Sequence, residues 1–367
     1  MMAMEIIRNQ TRQPRNWTQT VDEYLADNGI SYSSATPMPG GISAYVWRIE
    51  GYYKNRSTDI HNMIEEPCVL KYADETASGA PQYNALDAER MRFEVRALRS
   101  GPVARACEAE PSVQVPRVLD TTDRALLMSW GGDVDLRTAY ADKRAFGVGL
   151  VASRLGRWLA SMHSAGLRDE EVRSFENSSS DVVVASEYHV LREAMMKAGF
   201  GQAKTDAAVE RLRLPAGRKV LISWDFRPMN TLLRWCGGDD NEPCLTIVDW
   251  EASKYGCPVD DVRFWMAEAL VLEAKYGDCK RRMVPSFLSA YHQQADKEIV
   301  TEGFLCKLAI SVGPILLLMG GAGMWSSEKG EVEFWNARAM QFIRAGLERD
   351  VKWLAENEFA PLMQPSA

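Results

Sequence analysis

No two of the seven cysteines stand at a C-x-x-C spacing, so neither a zinc site nor a disulfide framework is suggested. That scatter fits a reduced setting and predicts a cytoplasmic protein. Basic charge is not in excess either. Lys and Arg number 43 against 50 Asp and Glu, and a net charge of −7 argues against nucleic acid as a partner. Residues Met1 to Trp17 carry Glu5, Arg8, Arg12 and Arg15 without an apolar stretch, which excludes the reading of a secretory signal there. Internal repeats and low-complexity tracts are absent. One uncharged run stands out, the 20 residues between Lys307 and Glu328, long enough on paper to cross a bilayer. Pro314 and the glycines at 313, 320, 321 and 323 interrupt it, and no basic cluster flanks it. It reads as a buried core helix ending at the glycines, so no membrane partner is expected.

What is present is ordinary in bulk and specific in detail. The 367 residues, 46% apolar and 25% charged, have the composition of a globular protein large enough for two domains. Val21 to Asn28 has the spacing of a short helix stopped by Gly29. Strand signals follow at Thr36–Gly41, Tyr45–Ile49 and Cys68–Tyr72, with a polar loop from Lys54 to Glu66. Gln82 to Ser100 is helical in period and is ended by Gly101-Pro102. Val115–Val118 and Ala125–Trp130 read as two further strands, and Gly131-Gly132 then breaks the pattern. Beyond lie helical stretches at Gly147–His163, Val182–Ala198, Asp206–Leu214, Val262–Lys275, Arg281–Gln294, Leu305–Leu318 and Glu333–Glu358. Asn177 to Ser180 reads as a short polar loop. The pattern predicts an α+β chain: residues 1–130 as a small lobe of five strands and one long helix, and residues 131–367 as a larger, mainly helical lobe.

Chemistry concentrates in Leu221-Ile222-Ser223-Trp224-Asp225-Phe226-Arg227-Pro228-Met229-Asn230-Thr231-Leu232-Leu233 and in Ile247-Val248-Asp249-Trp250-Glu251. A carboxylate, an amide five residues later and a second carboxylate past the next apolar run form the order that phosphoryl transfer needs. One Asp accepts the proton of the attacking hydroxyl, and an Asn with another Asp holds magnesium. In the first lobe, Gly40-Gly41-Ile42-Ser43 sits between two strands, where missing side chains admit phosphate oxygens to backbone N–H groups; a plain hairpin turn has the same composition. Lys71 stands on an otherwise apolar strand, and Glu94 lies among apolar helix positions where it could pair with Lys71. An exposed strand lysine and a solvated helix face are the plainer alternatives.

The order of these signals resembles the aminoglycoside phosphotransferase and choline kinase superfamily, which has the bilobal protein-kinase-like fold. The likeness runs from about Ile30 to Trp353 and leans to the methylthioribose kinase-like branch. It is carried by Val46-Trp47-Arg48-Ile49, Val69-Leu70-Lys71, Glu89-Arg90…Phe93-Glu94, Leu159-Ala160-Ser161-Met162-His163 and Val248-Asp249-Trp250-Glu251…Lys254-Tyr255-Gly256…Asp261, besides the Asp225…Asn230 stretch. The resemblance implies Asp225 as catalytic base and Asn230 and Asp249 as magnesium ligands. Glu251 would bind a second magnesium or hydrogen-bond behind the first. Gly40, Gly41 and Ser43 would line the ATP phosphates, Lys71 would bind them and Glu94 would orient Lys71. Met128, Ser129 and Trp130 would form the hinge that holds adenine. Asp261 would be scaffold, and His163 a satisfied core histidine. One departure is plain: the superfamily usually carries His-Gly before the catalytic Asp, and this chain has Ser223-Trp224.

The activity so implied is ATP- and magnesium-dependent transfer of a phosphoryl group to the hydroxyl of a small molecule. Trp224, Phe226, Trp250, Met324, Trp325, Phe334 and Trp335, with Arg227 beside them, are candidates for an acceptor wall, although tryptophans in a helical lobe are often core. Glu251, Asp260 and Glu268 could neutralise an amine. These features lean to an aromatic or amine-bearing alcohol. A choline- or ethanolamine-type kinase and a catalytically silent nucleotide-binding protein are the alternatives.

Overall fold

The computed structural model describes residues 17–38, 44–54, 66–73, 90–235, 242–277, 281–321 and 329–364. The chain separates into two compact units. One comprises Met1–Leu98 with Pro116–Trp130, and the other Arg99–Val115 with Gly131–Ala367.

In the first unit, alternation of apolar and polar residues builds an antiparallel sheet of five strands. Its order is Ser34–Pro37, Tyr45–Glu50, Cys68–Tyr72, Ala125–Ser129 and Val118–Thr121. Because neighbouring side chains point to opposite faces, Trp47, Ile49, Cys68, Leu70, Ala125 and Leu127 share one face. There they bury against Val21 and Leu25 of the helix Trp17–Asp27. Lys71, paired in register with Val46 and Leu126, falls on the other face.

The stretch after Glu89 differs from its sequence reading. The described helix covers Met91–Leu98 and stops, as expected, before Gly101-Pro102. Pro102 then opens a second helix, Gly101–Ala109, which periodicity did not reveal. Proline is tolerated in a first helical turn, where its missing N–H is not needed. This helix belongs to the second unit, where it packs on Val148–Gly166. Glu110 beyond it accepts from Arg157 at 2.6 Å. The expected strand at Val115–Val118 is replaced by two. Val113–Gln114 pairs in parallel with Cys244–Ile247, and Val118–Thr121 joins the five-stranded sheet.

The second unit is mostly helical. Val148–Gly166 lies close against Met283–Gln294, and any Cβ at Gly156 would meet the Phe287 carbonyl oxygen at 2.4 Å. Glycine is therefore required there. The uncharged run forms the helix Glu302–Leu316 followed by a wide turn, Leu317–Gly321. Among the described residues the segment Glu302–Met319 is the one long and apolar enough to cross a membrane, and 83% of it is buried inside the fold. The expected Glu333–Glu358 helix is two helices, Lys329–Glu348 and Val351–Ala355. Left-handed Arg349 breaks them, and the Asp350 carboxylate caps the second by accepting from the Trp353 N–H at 3.0 Å.

Candidate active site

Two short strand pairs position the central residues of the second unit. Val220–Ile222 pairs with Lys254–Gly256, and Thr231–Arg234 with Cys244–Ile247. The chain leaves Ile222, passes Asp225, makes a single tight turn over Pro228–Asn230 and re-enters a strand at Thr231. Asn230 Nδ2 donates to the Asp225 carboxylate at 2.8 Å and to its main-chain carbonyl at 3.0 Å. The Val248 N–H donates to the Asn230 carbonyl at 2.9 Å, which ties Asn230 to the residue before Asp249. Thr231 faces Ile247 across the ladder, so Asp249 emerges next to the Asn230 turn. Arg227 approaches Asp225 at 3.1 Å.

The loop ahead of Asp225 is held from beneath. Asp261, fully buried, accepts from the Ser223 N–H at 3.0 Å and the Trp224 N–H at 2.7 Å. His163 Nε2 lies 3.1 Å from the same carboxylate, and its Nδ1 lies 2.7 Å from the Tyr291 hydroxyl. Both ring nitrogens are thus engaged in the core. Trp224 has φ +70°, the left-handed region that a bulky residue enters at a cost of about 1–2 kcal/mol. That conformation is where the superfamily's usual glycine would sit without strain. Here two cations lie over the ring instead: Lys254 Nζ is 4.4 Å and Arg263 Cζ 4.7 Å from its centroid. Two cation–π contacts and two buried N–H···carboxylate bonds offset the strain. Burial pushes the Lys254 ammonium below its usual range, against the pull of Asp181 and Asp260.

Asp249 is also left-handed, at φ +68°. The loop after it is pinned by residues that read in the sequence as a mere polar stretch. Asn177 Nδ2 donates to the carbonyls of Glu251 and Ser253, at 2.8 and 3.0 Å, and Ser180 Oγ donates to the Ala252 carbonyl at 2.9 Å. Asn177 is simultaneously the N-cap of the helix Ser178–Lys197, accepting from the Ser180 N–H at 3.1 Å. An Asn before a Ser run with Asp181 in the first turn was the available signal.

In the first unit, Lys71 Nζ donates to the Glu94 carboxylate at 2.9 Å, with side chains 7% and 1% exposed. Both plainer alternatives, an exposed lysine and a solvated glutamate, are thereby excluded. Met128 is buried in the strand Ala125–Ser129, and Trp130 lies under the Arg48 guanidinium at 4.5 Å. The Ser129 N–H donates to the Arg117 carbonyl at 2.9 Å, so that amide is committed within the sheet and is not a donor to adenine. Gly40, Gly41, Ser43, Met324 and Trp325 lie outside the described residues.

The aromatic wall expected from the sequence is mostly core. Phe226 and Trp250 are fully buried. Trp158 stacks on Phe226 at 6.3 Å and meets Trp250 edge-on at 5.9 Å, and Phe226 continues to Trp265 and Phe287. The Trp250 indole N–H donates to the Ile247 carbonyl at 2.9 Å. Neither ring offers a face to a ligand, because both are fully buried. Trp224 is 4% exposed and likewise committed to its two cations. Phe334, by contrast, is 57% exposed.

Glu268 occupies the middle of the helix Val259–Tyr276 and is fully buried. Burial pushes its carboxyl up to about 7, Arg227 and Arg137 pull it down, and Asp225 and Asp135 push it further up. The folded-state value lies above the usual 4.5, so the folded protein holds the extra proton between those two values. Stability therefore falls as pH rises through that window and stays reduced above it. Glu268→Gln should remove this dependence and stabilise the protein at pH 8 by about 3 kcal/mol, an order-of-magnitude figure from ~1.4 kcal/mol per pH unit. Urea denaturation at pH 5 and pH 8 reads it directly; equal pH slopes for both proteins would contradict the assignment.

A buried pair between a lysine of the five-stranded sheet and a helix glutamate, an Asp–Asn turn and an Asp just past the following strand pair suit phosphoryl transfer to a hydroxyl group. Comparison with known proteins agrees. Residues 78–294, more than half of the chain, match the model of the phosphotransferase enzyme family, and the chain belongs to that family. The 4-hydroxytryptamine kinase of Psilocybe cyanescens is 24% identical over 327 residues, covering 84% of this chain and 85% of that protein. Among solved structures, a macrolide 2'-phosphotransferase from Brachybacterium faecium aligns with 15% identity and a TM-score of 0.49, over 88% of this chain and 98% of that one. A Plasmodium vivax ethanolamine kinase aligns with 12% identity and a TM-score of 0.46, over 93% of each chain.

Proposed function

We propose that this protein transfers the γ-phosphoryl group of ATP, with magnesium, to the hydroxyl of a small aromatic or amine-bearing alcohol. The observation that carries the reading is the bond from Asn230 to Asp225. It uses the amide's donor side to fix the carboxylate and turns the amide oxygen into the atom left for a cation. Asn230 and Asp249 together supply hard oxygen donors, one neutral and one anionic. Magnesium takes such a set when substrate phosphates and water complete its shell. When bound, the ion would neutralise charge on the β- and γ-phosphates.

The chain's own residues do the rest by positioning. Lys71, aimed by Glu94, pairs with the nucleotide's α- and β-phosphates. The first unit thus serves as the nucleotide-binding lobe and the second as the catalytic lobe, with residues 99–115 counted in the second and not, as the sequence pattern had it, in the first. Asp225 accepts the proton of the acceptor hydroxyl as its oxygen bonds to the γ-phosphorus and the bond to ADP breaks. Asp261 holds the Ser223–Trp224 backbone, and so the base, in place. Among acceptors, the family relative named for 4-hydroxytryptamine supports a ring carrying both a hydroxyl and an amine.

Turnover separates this reading from a silent nucleotide-binding protein, since both would bind ATP. Purified protein should consume labelled ATP only when one member of an alcohol panel is present, and that panel should include 4-hydroxytryptamine, choline and ethanolamine. No consumption with any alcohol would sink the proposal, and a preference for choline or ethanolamine would redirect the acceptor class. Asp249→Ala should abolish the magnesium-dependent part of ATP affinity. Changes behind a metal ligand already cost about 10–100-fold, so loss of a direct ligand should cost at least as much. Titration of ATP with and without magnesium measures it.

A further inference from the structure

The most anomalous polar group in the second unit is Glu268. Both of its carboxylate oxygens are buried, and among the described residues neither accepts a hydrogen bond. Buried polar groups are nearly always satisfied, and a buried carboxylate without a donor calls for a reason. One helical turn earlier, the Trp265 indole N–H is also buried without an acceptor. Trp265 packs on Phe226 at 5.8 Å, next in sequence to Asp225, and its helix lies against the Pro228–Asn230 turn. Glu268 therefore sits beside the residues that carry the chemistry.

We propose that Glu268 is the specificity-determining residue that recognises the acceptor, its carboxylate pairing with a protonated amine on the alcohol to be phosphorylated. The assignment rests on the kinase reading above and deepens it. Charge balance favours a cation over a neutral donor. Among the described residues, the charged groups acting most strongly on Glu268 are Arg227 and Arg137 against Asp225 and Asp135, two positive and two negative. An ionised Glu268 adds one uncompensated negative charge that a monocation cancels. An ammonium also brings three donors to two empty acceptors. The same helix face runs on through Val271 and Lys275, three and seven residues later and about 5 and 10 Å along the axis. It enters a groove that Glu331, Phe334 and Trp335 close from the helix Lys329–Glu348. Aromatic faces there suit the apolar body of such a molecule.

Burial pushes the Glu268 carboxyl up to about 7, so below that pH it holds a proton that an arriving cation must displace. No covalent bond changes: the carboxylic acid and the ammonium become an ion pair, and one proton passes to solvent. Calorimetric titration of the full chain with ADP and magnesium tests this. Cationic probes (4-hydroxytryptamine and ethanolamine) are compared with neutral ones (4-hydroxyindole and propan-1-ol), in buffers of differing ionisation heat. The wild-type protein should prefer each cationic probe by at least about tenfold. Proton release should approach about one per amine at pH 6 and about zero at pH 8. Glu268→Gln should collapse both the preference and the release. Failure of both amines to bind, equal binding of neutral probes, or a preference that survives Glu268→Gln overturns the inference. Amine preference without ATP consumption on any alcohol would leave Glu268 in its role and refute the kinase reading instead.

Discussion

Asp225→Asn should lower the maximal turnover by about 10²–10⁴-fold, the range that a positioned general base contributes, while ATP affinity stays near the parent value. The structure makes this substitution more informative than a simple loss of charge. One carboxylate oxygen accepts from Asn230 Nδ2 at 2.8 Å, and the other lies 3.1 Å from Arg227 Nε. An amide offers only one acceptor, so it must keep the Asn230 bond and turn its NH2 toward the guanidinium, or the reverse. The first is favoured because Asn230 Nδ2 also donates to the Asp225 carbonyl and is anchored by it. The variant should therefore fold with a deficit of about 1 kcal/mol, the scale of one hydrogen bond. Single-turnover kinetics isolates the chemical step, and nucleotide-induced thermal shifts check the fold and the ATP site. Turnover equal to the parent's would remove Asp225 from the mechanism.

Asp261→Ala carries the second large effect, this time on stability and catalysis together. Its carboxylate takes the N–H groups of Ser223 and Trp224 and lies against His163, all in a fully buried setting. Truncation leaves three donors or acceptors without partners where water does not reach. Removing one partner of a buried charged group costs about 3–5 kcal/mol. It also releases the Trp224 N–H from the carboxylate that tethers this left-handed residue, one position before Asp225. We expect a lowered denaturation midpoint with an unchanged slope, and turnover reduced even in the fraction that remains folded. Asp261→Asn should be intermediate, because one acceptor oxygen remains for two N–H groups that now occupy both. A loss below about 1 kcal/mol for the alanine variant would mean that the loop is held by the Lys254–Trp224–Arg263 stack and not by this carboxylate.

The parts of the site legible in the sequence share one property: their signal is an exception to a local pattern. A lysine in the apolar strand Cys68–Tyr72 and a glutamate among the apolar positions of Met91–Leu98 both stand out, and the structure pairs them at 2.9 Å. Glu268, three residues after Trp265 and four before Leu272, both fully buried, entered the sequence reading only as one of three carboxylates able to neutralise an amine. Where a residue conformed to expectation, its role was hidden. Asn177 and Ser180 looked like any polar loop, yet they pin the segment that follows Asp249. Phe226 and Trp250 could be core or pocket from sequence alone, because both settings reward the same apolar area. Packing against Trp158 and Trp265 decides for core.

Trp224 shows the limit most directly. The sequence reveals that the usual glycine is missing before Asp225, but not that the backbone there still takes a glycine-like φ of +70°. Backbone conformation follows from the tertiary bonds that over-determine it, here to Asp261, Lys254 and Arg263, which lie 30 or more residues away in the chain. Residue types, their order and their period thus predicted the fold class and singled out Asp225, Asn230 and Asp249 as candidates, since those depend on local periodicity and on which groups can do the chemistry. Which rings are packed, which carboxylate lacks a partner and which loop is strained were decided only by tertiary structure. Burial and hydrogen-bond satisfaction are properties of neighbours in space, and a linear string of residues does not say who those neighbours are.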